Sequence, residues 1–210
     1  DLLADSQFDQ ASAIDWPVGW SCTWRPSADA PNAPGGESRF TREDGRSVLQ
    51  LSRLAPSLDP GDVACMQPLG DPRTGLEVAP YTGLKLRVKM MVDYQYLSGC
   101  GQAGTGCPVM LHMEYRDRNG IKRDWYHGFY VEFTPNVGGL TICDSCYEYH
   151  ERITKGAWYT YEADLIEKLR PGSIISVEFY ASGHRFEVFV DEVSLLATLP
   201  TSDTVVSFSP

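Results

Sequence analysis

The segment CDSCYEYH, Cys143 to His150, sets two cysteines three positions apart, with two tyrosines and a histidine behind them. Residues of these types support thiol–disulfide exchange, zinc ligation or a structural cross-link. Exchange needs the thiols at the N-terminus of a helix, where the dipole lowers the thiol pKa. Here GGLTI precedes the pair and YEYHE follows it, with no amphipathic helix, so exchange is disfavoured. Zinc would draw on Cys100, Cys107, Cys143 and Cys146, with His150 able to replace one thiolate. The GQAGTG spacer between Cys100 and Cys107 is wider than a zinc knuckle, and a glycine-rich loop closes a local disulfide readily. Six cysteines, Cys22 and Cys65 with those four, make the even count of a fully paired extracellular protein. Disulfides are therefore the first expectation and zinc the second. Cys22 and Cys65 then pair with each other across the fold.

Other catalytic chemistry is poorly represented. Glycoside hydrolysis needs two carboxylates facing each other across a cleft. Glu114 and Glu178 fall on polar strand faces as potential neighbours, but Lys85, Arg87 and Lys89 stand ready to pair such acids in a surface ladder. No Gly-x-Ser-x-Gly elbow and no His-Glu-x-x-His helix occurs. A non-enzymatic chain is expected. A binding face is better supported, because sugar rings stack on aromatic side chains while their hydroxyls bond to polar groups. Along IKRDWYHGFYVEF, if Trp125, His127, Phe129 and Val131 face inward, Tyr126 and Tyr130 face out. Tyr180 shares the phase of Glu178. Tyr126, Tyr130 and Tyr180 with His112, Glu114 and Arg87 then form a mixed aromatic and polar surface on one sheet. The opposite phase, with Trp125 and His127 outward, satisfies the same alternation. Tyr147, Tyr149 and His150 would line its rim. Trp16, Trp20, Trp24 and Trp158 read as packing residues.

The elements that must position these groups are strands. Period-two alternation dominates. GLKLRVKMMVD places Leu84, Leu86, Val88, Met90 and Val92 inward, and CPVMLHMEYRD does the same with Val109, Leu111, Met113 and Tyr115. Asn119-Gly120 predicts a hairpin to the following strand. Further strands are expected at SVLQLSR, VACMQPL, WYTYEADL, SIISVEFYAS and RFEVFVDEVSLL, with earlier ones near QFD and GWSCTW. LIEKLRPG alone reads as helical. The expectation is an all-β chain of nine to eleven strands, a two-sheet antiparallel β-sandwich with one short helix. The domain spans 1–197, followed by a β-prone tail at 198–210 that carries Val205, Val206 and Phe208.

The 210 residues suffice for a core without cross-links, and 18 Lys and Arg against 28 Asp and Glu give a formal charge of -10. That charge repels phosphate backbones, so no nucleic acid partner is expected. No apolar run approaches the roughly 20 residues of a membrane span. The chain starts at Asp1 without Met or leader, and reads as a mature or excised segment of an extracellular or cell-surface protein.

The two ends, LLADSQFDQASAIDWPVGW and RFEVFVDEVSLL, resemble the frame of the carbohydrate-binding-module and galactose-binding-like jelly rolls, and the middle resembles an uncharacterised secreted bacterial surface module. The resemblance implies a jelly roll that binds carbohydrate, such as cell-wall or matrix polysaccharide. It also implies a structural calcium ion held by the acid after the first-strand Phe and the acid of the last strand, here Asp9 and Asp191. Asp9 departs from the commoner Glu and reaches less far; otherwise both acids are simply solvated strand ends. The alternative function is a structural subunit of a surface assembly or fibre, self-assembling by strand addition of the tail or an edge strand.

Overall fold

The computed structural model describes residues 1–10, 17–55, 57–96, 107–132 and 150–200. Twelve strands and one short helix are present among them: β1 (Ser21–Pro26), β2 (Glu37–Glu43), β3 (Arg46–Arg53), β4 (Gly61–Pro68), β5 (Leu76–Glu77), β6 (Gly83–Tyr96), β7 (Val109–Asp117), β8 (Lys122–Tyr130), β9 (Glu151–Arg152), β10 (Tyr159–Asp164), α1 (Leu165–Lys168), β11 (Pro171–Gly183) and β12 (Arg185–Thr198). The larger sheet runs β1-β4-β11-β7-β8-β9, with β5 also on β11, and the smaller runs β10-β6-β12-β3-β2. Every ladder is antiparallel except the two-residue β8–β9 pair. This is the two-sheet sandwich that the alternation predicts.

The inward sets close one core between the sheets. Leu84, Leu86, Val88, Met90 and Val92 of β6 meet Val109, Leu111, Met113 and Tyr115 of β7, with Trp125, Phe129, Phe179 and Phe186 filling the middle. Of the two phases open for β8, the structure has Trp125, His127 and Phe129 buried, with Tyr126 and Tyr130 half-buried on the other face. The Asn119-Gly120 turn works because Gly120 takes φ 78°, a left-handed angle that costs glycine nothing. α1 starts where the Asp164 carboxylate accepts from the N–H groups of Ile166 and Glu167. Trp20 is core and Trp24 packs against it; Trp16 lies outside the described residues.

Three expectations need correction. QFD is a turn, not a strand: Phe8 has φ 52° and its ring is driven into the core against Trp20 and Phe179. ESRFTRE forms β2, an edge strand whose polar letters hid it. The Cys22–Cys65 disulfide forms, but it joins neighbouring strands β1 and β4 of one sheet, Cα atoms 4.0 Å apart. Cys107 is disulfide-bonded as well, which removes it from a zinc thiolate set. Cys100, Cys143, Cys146, Tyr147, Tyr149 and tail positions 201–210 lie outside the described residues.

The Cys22–Cys65 link closes a loop of 43 residues in sequence separation, and its main effect is to restrict the unfolded chain. Replacing both cysteines by alanine is expected to cost about 2–4 kcal/mol, read as a lower urea midpoint with a steeper slope, because the unfolded chain without the link exposes more surface. An unchanged midpoint would mean the ladder alone fixes β1.

Candidate functional site

Alternation that sends Leu111 and Phe179 into the core turns their neighbours out, and the ladders then fix who meets whom. Glu178 of β11 lies beside His112 of β7, which lies beside Tyr126 of β8; in the next row Tyr180 lies beside Met110, and Met110 beside Gly128. The outward face of the larger sheet thus carries Tyr126 and Tyr180 around a row of polar groups.

That row is continuous. Arg25 of β1 reaches across β4, its Nη1 donating to Glu178 Oε1 at 2.8 Å, while its guanidinium lies 5.1 Å from the Tyr180 ring centre. The other Glu178 oxygen is 3.0 Å from His112 Nδ1, and His112 Nε2 is 2.9 Å from Asp124 Oδ1. The His112 and Tyr126 rings stack at 4.3 Å between centres and 5° between planes. Asp62 sits 4.0 Å from Arg25, and Lys122 pairs with Glu114 at 2.9 Å.

The electrostatics follow from these contacts. Burial alone would push Glu178 up, but the hydrogen bonds and charges of His112 and Arg25 outweigh it and hold the carboxyl below its ordinary range. Burial likewise pulls His112 down, yet the hydrogen bonds to Glu178 and Asp124 and their charges raise its pKa overall. Burial pushes Asp62 up, against the opposing Ser182 hydrogen bond and the Arg25 charge. Tyr126 and Tyr180 are raised by burial and the surrounding acids, so both phenols stay neutral donors.

At one end the surface is sealed. Cys107 and Met110 form a small apolar cluster against which Tyr126, Tyr130 and Tyr180 pack. The Gly128 N–H donates to His150 Nδ1 at 2.8 Å, and a Cβ at 128 would sit 2.4 Å from Cys107 Sγ. A glycine is needed there because the wall lies directly on the strand.

Of the six residues expected on the face, the structure brings together Tyr126, Tyr130, Tyr180, His112 and Glu114. It does not bring Arg87, which lies on β6 in the other sheet beside Glu162 and Glu192. Lys85 likewise pairs with Glu162, and Lys89 with Asp191; none of these cations reaches Glu114 or Glu178. Alternation orients a residue within a strand but does not say which sheet holds the strand. Arg25, Asp62 and Asp124 were missed. Asp124 had a signal, since the Asn-Gly hairpin register places it opposite Glu114. Arg25 had only its phase, opposite Cys22 and Trp24.

The calcium pair does not fit. Asp191 Oδ2 is 2.6 Å from Lys89 Nζ and 2.9 Å from Arg46 Nη1, so two cations already occupy that carboxylate. Asp9 is exposed, in a loop whose N–H groups wrap the buried Asp5 carboxylate. Among the described residues no group of three or more His, Cys, Asp or Glu could hold a metal ion. No helix among the described residues is long and apolar enough to cross a membrane.

Fold and face together define a β-sandwich with an aromatic and polar sheet surface. No protein-family model matches the chain, and no curated protein does. Among solved structures it is similar to the family 11 carbohydrate-binding module of the cellulosomal cellulase Lic26A-Cel5E of Clostridium thermocellum, at 11% identity and TM-score 0.47, covering 96% of each chain. It is also similar to the CBM22-1 xylan-binding domain of Paenibacillus barcinonensis Xyn10C, at 13% identity and TM-score 0.44, covering 93% of each chain.

Proposed function

We propose that the chain is a non-catalytic module of an extracellular or cell-surface protein, and that the outward face of its larger sheet binds polysaccharide. The observation that carries this reading is the placement of two half-buried tyrosines, Tyr126 in, and Tyr180 next to, a fixed row of hydrogen-bonding groups. A sugar needs an aromatic surface for its C–H faces and rigid acceptors for its hydroxyls, and both are supplied within one row of strands. The acceptors are preorganised because Arg25 and His112 already hold them, so little side-chain freedom is lost on binding. Those same groups leave Glu178 ill-suited as the acid of a hydrolytic pair, since a general acid needs a raised pKa and Glu178 has a lowered one, and Glu114 is already paired with Lys122. Disulfides at Cys22–Cys65 and Cys107 support an oxidising compartment.

The test is retention on a panel of cell-wall and matrix polysaccharides. Replacing Tyr126 and Tyr180 together by alanine is expected to weaken binding by up to about 100-fold, taking each ring at its stacking value, with near-ultraviolet circular dichroism unchanged. Failure of the native chain to bind any member of a broad panel would remove the proposal.

A further inference from the structure

On the reading that this face binds carbohydrate, we propose that His112 is a positioning residue, held as an imidazolium that fixes the Tyr126 ring, and that glycan affinity therefore falls as His112 loses its proton.

The geometry admits one protonation state comfortably. Both ring nitrogens of His112 face carboxylate oxygens, Nδ1 to Glu178 at 3.0 Å and Nε2 to Asp124 at 2.9 Å. An imidazolium donates to both. A neutral ring donates to one and presents a lone pair to the other, so one of these contacts turns repulsive. The groups facing the ring come from every neighbouring strand: Glu178 and Tyr180 from β11, Arg25 from β1 behind Glu178, Asp124 and Tyr126 from β8, and Glu114 from its own strand. Arg25 bears on Glu178, and its charge keeps that carboxylate ionised without replacing the proton on His112. The raised titration of His112 agrees with this arrangement.

The link to function is the stack. His112 lies flat on Tyr126, planes 5° apart, so one face of that phenol ring is backed by His112 while the half-buried ring also packs against the Cys107 and Met110 cluster. Displacing His112 from one carboxylate disturbs the backing of Tyr126, and the carboxylate it leaves loses the His112 donor, although Glu178 still accepts from Arg25. A raised folded-state pKa means that the stabilising proton is bound below the ordinary histidine value of about 6.5. The contribution is lost as pH rises from there through the folded-state value. Affinity is therefore expected to be highest on the acidic side and to decline across that window.

Two measurements test this. The first needs no glycan: a nuclear magnetic resonance titration following the His112 ring nitrogens and the Tyr126 ring protons of the native chain. His112 is expected to titrate above 6.5, with the Tyr126 signals moving at the same midpoint. Titration at or below 6.5, or Tyr126 signals that ignore it, would overturn the proposal. The second is calorimetric affinity against pH, using whichever polysaccharide of the panel binds. The native chain should lose about 3- to 10-fold across the window, the value of one aromatic stack. His112→Gln should be weaker and flat with pH. Asp124→Asn, which keeps the histidine and the fold but removes one acceptor charge, should move the profile to lower pH. A flat native profile, or an unshifted Asp124→Asn profile, would also overturn it. If no polysaccharide binds while the ring titration behaves as expected, the function proposed for the face fails and the His112–Tyr126 coupling stands.

Discussion

Replacing Arg53 by alanine is expected to destabilise the fold by about 3–5 kcal/mol, the range for removing one member of a buried charged hydrogen-bond set. Arg53 is 1% exposed although it ends a strand. Its Nε donates to Pro34 O at 3.0 Å, and its Nη1 to Asp59 O at 2.7 Å and Gly183 O at 3.2 Å. Its guanidinium also lies 4.7 Å from the Trp24 ring centre. One side chain thus ties the segment before β2, the loop before β4, the end of β11 and strand β1 to β3. Backbone carbonyls at a buried corner need donors, and Arg53 supplies all three, with Ser57 Oγ a second donor to Asp59 O at 3.1 Å. The corner is tight around Trp24, where a Cβ at Gly61 would come within 2.2 Å of the indole. Lysine keeps the charge but not the planar fork, so Arg53→Lys should recover less than half the loss. Urea unfolding of both variants measures this. A loss below about 1 kcal/mol for alanine, the size of an ordinary surface change, would show that solvent satisfies the carbonyls and that the Trp24 stack is dispensable.

Arg53 also marks where sequence reading stopped. Alternation located most of the sandwich because its strands bury one face, and a one-residue slip would turn every core residue to solvent. Leu84 to Val92 and Val109 to Tyr115 were legible for that reason, while alternation left Trp125 to Phe129 with two phases. The same rule assigns an arginine or glutamine to the outside. Arg53, Gln67 and Gln95 are all buried, because each satisfies backbone groups that belong to distant segments. Gln67 exchanges two hydrogen bonds with the backbone of Ala4, at 2.7 and 3.0 Å, and so holds the N-terminal segment on β4. Nothing local in VACMQPL carries that information.

The face was half legible for a related reason. Phase gave Tyr180, His112 and Glu178 their outward direction and left Tyr126 with two, and the Asn-Gly hairpin gave β7 and β8 their register. Which strands sit next to that pair is a matter of topology. β11 lies beside β7 across more than fifty intervening residues, while β6, nearer in sequence, goes to the other sheet. Arg87 was therefore placed with the wrong partners, and Arg25, from the far edge of the correct sheet, went unseen. Charge complementarity alone would have chosen either.

Gln95 supplies the second large effect. It lies on β6 in the smaller sheet, is 2% exposed, and reaches across to the end of β8 in the larger one. Its Oε1 accepts from the N–H groups of Val131 at 2.8 Å and Glu132 at 3.1 Å, and its Nε2 donates to Glu132 O at 2.9 Å. The amide thus acts as a peptide group of a strand that is not there, joining the two sheets where the chain leaves β8. Alanine would strand the N–H of buried Val131 and leave the N–H and C=O of exposed Glu132 to solvent, and an unsatisfied buried group costs about 1–3 kcal/mol. With partial hydration of Glu132, the expected loss for Gln95→Ala is about 2–4 kcal/mol. Glutamate discriminates between packing and hydrogen bonding, because it preserves shape and the acceptor but cannot donate to Glu132 O. If the hydrogen bonds dominate, Gln95→Glu recovers part of the loss near neutral pH, and amide exchange at Val131 stays slow in glutamate and becomes fast in alanine. Equal losses for both variants would show that shape contributes little and that the Nε2 donor to Glu132 O and the cost of a buried carboxylate outweigh the retained acceptor. Protection at Val131 that survives in alanine would show that the end of β8 is held without Gln95.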